Sequence, residues 1–306
     1  MENKEKIYFY IPDFYHHFYV NVELLQLMED YPEMFFDDFE IGAIFGNFPN
    51  CIWNGGGLTL GINANEELLN WMRVIFNHRF KVPLRLTMTN PLIKEEHLTD
   101  VYANFILRNL QNGFNQILVS SSILEKYIRE KYPNYPIIRS VLAAENKYYD
   151  DSDKYFMSVL RRNQNNNIDF LKQIKNKDKI EILVNEFCNP LCPRNYSHYE
   201  DYAKANLMNP NNEDLNLKCN YEITHVMNYK SKHPHCISRE QINSIYRPLG
   251  FKHFKIAGRG TKTFPLILDY AHYFVKEEYK NDFINYMAEA YVKDRIRHEL
   301  NQDFVL

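Results

Sequence analysis

The sequence predicts an α/β protein built as a (β/α)8 barrel of the TIM type, with a long loop insertion before the last strand and helices after it. Short apolar segments alternate with amphipathic stretches, which is typical of a parallel sheet covered by helices. There are eight such segments, the number that a closed barrel requires. The predicted strands are Ile7–Pro12, Glu40–Phe45, Leu84–Thr89, Gln116–Ser120, Pro136–Ser140, Tyr155–Leu160, Lys179–Asn185 and Lys252–Ala257.

An open doubly wound sheet is the alternative architecture for the same alternation of segments. That fold carries a glycine-rich phosphate loop directly after its first strand. No such loop follows Pro12. The closed barrel is therefore the favoured prediction.

Apolar residues at helical spacing predict the helices that cover the strands. For the segment Arg239–Tyr246, Ser238 is the expected N-cap and Gly250 the stop signal. The other predicted helices are Val20–Tyr31, Leu98–Leu110, Ser122–Tyr132, Ile168–Ile174, Leu266–Val275 and Asn281–Leu300.

One domain is expected, because a chain of 306 residues can bury the core of a single barrel. Residues 1–306 would form that barrel, and residues 186–250 would form a cysteine-bearing insertion within it. Residues 266–306 are expected to pack on the outside of the barrel as C-terminal helices.

The charge balance excludes a general affinity for nucleic acid, since 36 basic residues face 39 acidic ones. The charged N-terminal residues do not resemble a signal peptide. No apolar run approaches the roughly 20 residues needed to span a bilayer. We therefore expect a cytoplasmic protein without a membrane partner.

In a barrel of this kind, the segments that follow the strands share one rim, where active sites lie. Three consecutive glycines on this rim would let a ligand approach the backbone closely, although a plain tight turn explains them equally well. The expected substrate-binding residues are Asn54, Gly55, Gly56, Gly57, Asn90 and Arg194.

Two further rim residues are the expected catalytic groups. Arg259 lies between two glycines after the last strand, where a guanidinium suits a carboxylate or a phosphate. It could equally bridge two loops. Glu186 follows the seventh strand and could act as a general acid or base, or orient a neighbouring ligand.

Cysteines predict a metal centre at the same rim. Cys188 and Cys192 are four residues apart directly after the seventh strand, and Cys219 and Cys236 lie in the insertion. The insertion has little apolar content, so a metal could supply the free energy that orders it. Cys51 is an alternative ligand on the same rim. Free buried thiols are the other interpretation.

Four thiolates suit either a 4Fe–4S cluster or structural zinc. Zinc ribbons usually contain two close cysteine pairs, whereas this chain has one close pair followed by two single cysteines. The spacing therefore favours a 4Fe–4S cluster, with zinc as the alternative. Histidine is a weaker source of ligands, because the adjacent His16 and His17 cannot easily share one ion.

Several segments resemble the collagenase-like peptidase family over roughly residues 40–265. The two most specific segments are EILVNEFCNPLCPRNYSHY, which begins at Glu181, and HCISREQINSIYRPLGFKHFKIAGRG, which begins at His235. LRLTMTNPLI and QILVSSSILEKYIREKYP resemble the family as well. The chain resembles a divergent member of this family, without an added C-terminal domain.

The resemblance implies a TIM barrel, in agreement with the strand count. Several members of that family are 4Fe–4S proteins that act in oxygen-independent hydroxylation of ubiquinone precursors or RNA bases. The resemblance therefore implies that Cys188 and Cys192 bind a cluster together with two of Cys51, Cys219 and Cys236. Cys219 and Cys236 are favoured because they share one insertion.

The resulting functional hypothesis is a 4Fe–4S protein that catalyses or supports oxygen-independent modification, with hydroxylation as the leading reaction. Its substrate would be a small molecule or a nucleobase, bound through Arg259, while Glu186 would transfer protons. A collagenase-like peptidase is one alternative. The other is a non-catalytic partner of a second barrel subunit, with a structural cluster or zinc.

Overall fold

Eight parallel strands follow one another in chain order around a closed barrel in the computed structural model, so the predicted fold class is confirmed. The structure describes residues 5–58, 61–143, 154–186, 194, 197–208, 236–258 and 263–303. Both ends of every strand lie within two residues of the predicted bounds. The strands are β1 (Ile7–Pro12), β2 (Phe39–Gly46), β3 (Leu84–Met88), β4 (Gln116–Val119), β5 (Ile137–Arg139), β6 (Met157–Val159), β7 (Ile180–Leu183) and β8 (His253–Lys255).

Helices alternate with the strands. They are α1 (Phe18–Asp30), α2 (Glu66–Met72), α3 (Val101–Leu110), α4 (Ser122–Lys131), α5 (Ile168–Gln173), α6 (Ser197–Met208), α7 (Arg239–Gln241), α8 (Thr263–Phe274) and α9 (Lys280–Asp303). The sequence did not predict α2 and α6. Within the described part of the chain, none is long and apolar enough to cross a membrane.

Helices α2 and α7 continue into π-helical turns, Arg73–Arg79 and Ile242–Tyr246. The predicted N-cap of α7 is confirmed, because the side chain of Ser238 accepts a hydrogen bond from the backbone of Gln241. That cap satisfies a backbone N–H that the first helical turn leaves without an intrahelical partner.

The chain divides into two compact units. The first unit comprises Met1–Ile44, Leu160–Phe187 and Thr224–Leu306, and the second comprises Phe45–Val159 and Cys188–Ile223. The core of the first unit surrounds the fully buried Phe9 of β1. Its ring contacts four aromatic rings at centroid distances of 5.0 to 5.9 Å: Phe39, Phe254, Tyr273 and Phe274.

The second unit is built on β3, whose five residues are all buried. Strand β4 pairs with it in parallel, with Leu86 opposite Ile117. Burial on both faces is typical of a parallel strand between helices and a barrel interior. On the helical side, α3 and α4 contribute the buried residues Ala103, Ile106, Leu107, Leu110, Leu124 and Ile128.

Polar side chains occupy positions that aliphatic residues usually fill inside such barrels. In the first unit, Glu181 of β7 is fully buried and lies 3.5 Å from the ammonium of Lys255 on β8. In the second unit, Arg85 of β3 is fully buried and donates to the side chain of Gln116 on β4 at 2.9 Å. The strands therefore bury charge as well as apolar surface.

Helix α9 attaches to the start of α1. The carboxylate of Asp294 accepts hydrogen bonds from the backbone N–H groups of Tyr19 and Val20, at 3.0 and 2.9 Å. The N-cap residue of α1, His17, makes no capping hydrogen bond with its own side chain. Asp294 therefore caps α1 from another helix, and Arg297 adds a hydrogen bond to the carbonyl of Tyr15 at 2.7 Å.

This attachment should make stability depend on pH. Burial raises the pKa of Asp294 from 3.8 to about 7, although the backbone hydrogen bonds oppose the shift. The pKa is higher in the folded state, so the contribution of the protonated form is complete below about pH 4 and is lost as the pH rises through about 7. The slope cannot exceed about 1.4 kcal/mol per pH unit for one group.

The Asp294→Asn variant keeps an oxygen acceptor of similar shape but cannot titrate. We expect its free energy of unfolding to vary less between pH 4 and 7 than that of the wild type. Urea unfolding at several pH values measures the difference. Parallel curves for the two proteins would show that Asp294 does not titrate in this range.

Candidate functional site

The end of β7 is tied to the end of β8 by Asn185. Its side-chain amide donates to the carbonyl of Ala257 at 3.0 Å, and its oxygen accepts from the N–H of Ala257 at 2.6 Å. The same amide donates to Asp269 of α8 at 2.8 Å. Asn185 is buried, so it fixes the backbone positions next to the predicted catalytic residues Glu186 and Arg259.

Cys236 lies beside this strand end. It forms an isolated antiparallel bridge with Asn185, and the N–H of Ile237 donates to the carbonyl of Val184 at 2.7 Å. Its thiol donates to the carbonyl of Glu186 at 3.2 Å. Burial, together with the charge of Glu186, raises the pKa of the Cys236 thiol to about 12.

Glu186 is 4% exposed, so the predicted acid or base is a buried carboxyl group. Its backbone carbonyl contacts the thiol of Cys236, and one residue separates it from Cys188 in the sequence. The proton-transfer role of Glu186 stays a prediction. Arg259 lies outside the described residues.

Asp269 is a buried carboxyl group that the sequence did not single out. It is 2% exposed, and its second carboxyl oxygen has no hydrogen-bond partner among the residues that the structure describes. Burial raises its pKa well above 3.8, although the bond from Asn185 opposes the shift. Burial therefore favours the protonated form of this carboxyl group.

A carboxylate and two histidines follow β1 in the first unit. Asp13 is fully buried and accepts hydrogen bonds from the backbone of Tyr15 at 3.0 Å and from the ring of His16 at 3.1 Å. Burial alone would raise its pKa, but the charges and hydrogen bonds of the histidines lower it to about 2. The ring of His17 contacts the carbonyl of Gly258 at 3.3 Å, on the residue before Arg259.

The glycine loop of the second unit packs against β3. A side chain at Gly55 would overlap the carbonyl group of Thr89, so close packing explains this glycine. Asn54 is buried, and its amide donates to the carbonyl of Gly57 at 2.8 Å. Ligand binding by Asn54 and by residues 55–57 stays a prediction.

Asn90 is fully buried at the end of the same strand. Its amide donates to the carbonyls of Ile52 and Ala203, at 2.9 and 3.0 Å, and its oxygen accepts from the N–H of Leu92 at 3.0 Å. These bonds join three segments of the second unit. Its predicted role in substrate binding remains untested.

Arg194 forms an ion pair with Asp201 of α6, with 2.7 Å between Nη2 and Oδ2. Its carbonyl accepts a hydrogen bond from the N–H of His198 at 2.8 Å. Arg194 is therefore bonded to the first two turns of α6. Its side chain is 27% exposed. The guanidinium is therefore accessible to an anionic group.

Cys51, the alternative metal ligand, is 1% exposed in the second unit. Its thiol lies 3.9 Å from the sulfur of Met88. Burial raises its pKa to about 12, although backbone hydrogen bonds from Trp53 and Asn54 oppose the shift. These surroundings are those of a packed thiol.

Three of the predicted metal ligands, Cys188, Cys192 and Cys219, lie outside the described residues. Among the residues that are described, no group of three or more His, Cys, Asp or Glu side chains is arranged to hold a metal ion. The ligand set therefore stays a prediction.

No family model matches the sequence. No curated protein matches it either. A solved structure, that of the U32 peptidase Mk0906, is similar to this chain with a TM-score of 0.49 and 11% sequence identity. The similarity covers 84% of this chain and 95% of Mk0906. The peptidase activity in the name of that structure is that of Mk0906.

Proposed function

We propose that the end of β7 carries a thiolate-bound metal centre and that the protein uses it in an oxygen-independent modification. The proposed centre is a 4Fe–4S cluster bound by Cys188, Cys192, Cys219 and Cys236. Hydroxylation of a small molecule or a nucleobase is the leading reaction.

The observation that supports this proposal best is the position of Cys236. Its thiol contacts the carbonyl of Glu186, a residue 50 positions earlier in the chain. Glu186 is followed two residues later by Cys188. The thiol of Cys236, late in the insertion, is thus held next to Glu186, the residue at which the insertion begins.

The thiol of Cys236 would have to lose its proton before it could bind a metal. Clusters are bound by thiolates, whereas the raised pKa keeps Cys236 protonated in the metal-free protein. Metal binding would therefore release a proton and would become tighter as the pH rises. When bound, the cluster would supply redox or Lewis-acid chemistry.

The chain's own residues would bind the substrate and move protons. Asn185 holds the ends of β7 and β8 together through the backbone of Ala257. The chain is therefore fixed one residue before Glu186 and two residues before Arg259. Arg259 would bind an anionic group of the substrate, as a guanidinium on a rim can. Glu186 would transfer the proton, and Asp269 would keep Asn185 oriented.

Metal analysis after anaerobic purification tests the proposal. We expect iron and acid-labile sulfide in nearly equal amounts, with the visible absorbance of iron–sulfur charge transfer. Air should bleach that absorbance. A colourless protein without iron, but fully loaded with zinc, would contradict the cluster and would support the structural-zinc alternative with a second barrel subunit as partner.

A peptidase is the second candidate, and the two buried carboxyl groups near Asn185 favour it. Burial raises the pKa of Asp269 and favours its protonated form, which could serve as an acid, while Glu186 could serve as a base for an attacking water. Incubation of the pure protein with gelatin and a peptide library tests this activity. Cleavage that the Glu186→Gln variant abolishes would support a peptidase in place of the hydroxylase.

A further inference from the structure

We infer that Asp13 and His16 form a carboxylate–histidine pair that acts as a general base at the end of β1. The inference goes beyond the proposed metal centre, because both residues lie in the first unit and the pair needs no metal. Its substrates would be acyl compounds such as carboxylic esters. Asp13 directly follows Pro12, the last residue of β1, so the pair lies where the active sites of (β/α)8 barrels are found.

The first step is the fixed position of the carboxylate. Asp13 is fully buried, and its Oδ1 accepts hydrogen bonds from the backbone N–H groups of Tyr15 and His16 at 3.0 and 3.3 Å. The amide of Asn21 donates to the carbonyl of Asp13 at 3.2 Å. The other carboxyl oxygen, Oδ2, lies 3.1 Å from Nδ1 of His16. The turn after β1 therefore presents one carboxyl oxygen to the imidazole.

The second step is the tautomer that this contact imposes on His16. Burial would raise the pKa of Asp13, but the charge and hydrogen bond of His16 and the charge of His17 lower it to about 2. The carboxylate is therefore ionised at neutral pH and can only accept a hydrogen bond. In a neutral ring, Nδ1 must then carry the proton, and the basic lone pair lies on Nε2. A carboxylate that fixes the tautomer and stabilises the imidazolium is the partner that a histidine base requires.

The third step is access to the imidazole. The side chain of His16 is 18% exposed, whereas that of Asp13 is fully buried. Water or a small substrate can therefore reach the ring but not the carboxylate. The charged and titratable groups around the ring among the described residues are Asp13, Tyr15, His17, Asp294 and Arg297.

The reaction would be hydrolysis of the acyl bond. Water adds to the carbonyl carbon of the ester, and Nε2 of His16 takes its proton. The bond between that carbon and the leaving oxygen then breaks, and the imidazolium returns the proton to the leaving alcohol. Asp13 stays ionised and stabilises the imidazolium. No electrons are exchanged, so the reaction needs no redox partner.

His97 of the second unit is the matched comparison. Its side chain is 22% exposed, close to the 18% of His16, and it also lies next to a carboxylate, that of Glu96. Its Nδ1, however, accepts a hydrogen bond from the backbone N–H of Lys94 at 3.0 Å. A neutral His97 therefore carries its proton on Nε2, and its tautomer is the opposite of that of His16.

Two measurements on the purified protein test the inference. Long-range ¹H–¹⁵N NMR of histidine-labelled protein distinguishes the two tautomers, and the variants His16→Gln and His97→Gln identify the signals. Hydrolysis of p-nitrophenyl acetate above the uncatalysed rate measures the activity of the base. We expect the Nδ1–H tautomer for His16 and the Nε2–H tautomer for His97. The rate of hydrolysis should rise with pH as the imidazole of His16 loses its proton.

His16→Gln should lower the rate of hydrolysis by about 100-fold, a contribution typical of a general base. His97→Gln should keep the wild-type rate. Asp13→Asn keeps an oxygen for the backbone of Tyr15, but its amide can donate to Nδ1 of His16. That variant should therefore shift His16 to the Nε2–H tautomer and lower the rate as well, as expected of a positioning residue.

A wild-type rate in a folded His16→Gln protein would overturn the inference, and so would a wild-type protein that is no faster than the uncatalysed reaction. An Nε2–H tautomer of His16 in the wild type would also overturn it, and that result requires no variant to fold. Neither measurement involves the cysteines. A failure of the proposed metal centre would therefore leave both results unchanged.

Discussion

Replacement of Lys255 by methionine should destabilise the protein by about 3–5 kcal/mol, the cost typical of removing one partner from a buried ion pair. Glu181 is fully buried, and the ammonium of Lys255 is 3.5 Å from its carboxylate. Without the lysine, the carboxylate stays buried and loses this counter-charge. Chemical denaturation measures the change in the free energy of unfolding.

The paired variant Glu181→Leu with Lys255→Met is the control. Because it removes both charges and keeps similar side-chain volume, its stability should return to within about 1–2 kcal/mol of the wild type. The half-buried Lys252, whose side chain pairs with the exposed Glu5, gives a second comparison. Lys252→Met should cost less than about 1 kcal/mol. An equal loss for the two lysine variants would contradict the account.

Gly55→Ala is the second change with a large expected effect. The new methyl group would overlap the carbonyl oxygen and carbon of Thr89, and these are backbone atoms that cannot rotate away. Either the loop or the end of β3 must shift. The expected cost is about 3 kcal/mol, at the upper end of the range for overpacking.

Gly113→Ala separates steric overlap from backbone strain. Gly113 has a φ of +73°, and a methyl group there would meet nothing within 4 Å. The left-handed backbone alone should cost about 1–2 kcal/mol. Thermal unfolding of the two variants measures the difference. A Gly55→Ala protein at least as stable as Gly113→Ala would show that the loop does not pack against Thr89 as described.

The strands could be predicted from the sequence because each one lies in a short segment rich in apolar residues. In β3, Leu84, Leu86 and Met88 give this signal, although Arg85 and Thr87 between them are buried as well. Helix α6 could not be predicted in the same way. It buries Ala203 and Ala205, and alanines leave no stripe of large apolar residues for a periodicity to reveal.

The site was predictable in part. The cysteine spacing directed attention to the end of β7, and the structure places Cys236 there. Asp269 was missed because it lies within helix α8 and not in a segment that follows a strand. The signal that could have found it is its position in the apolar run of α8, where a charged residue needs a partner.

Asn90 illustrates what the sequence could not show. It was predicted to follow the third strand, and it lies two residues after the end of β3. The sequence could not show that its amide is engaged by the carbonyls of Ile52 and Ala203. Those partners lie 38 and 113 residues away in the chain, and only the fold brings them together.

The most direct test of the metal centre compares Cys236→Ser with Cys51→Ser after anaerobic reconstitution with iron and sulfide. Cys236 contacts Glu186 at the end of β7, whereas Cys51 packs against Met88 as a buried thiol. We predict that Cys236→Ser loses most of its iron and its visible absorbance while Cys51→Ser keeps the wild-type iron content. Full iron loading of Cys236→Ser, or equal loss in both variants, would contradict the proposed ligand set.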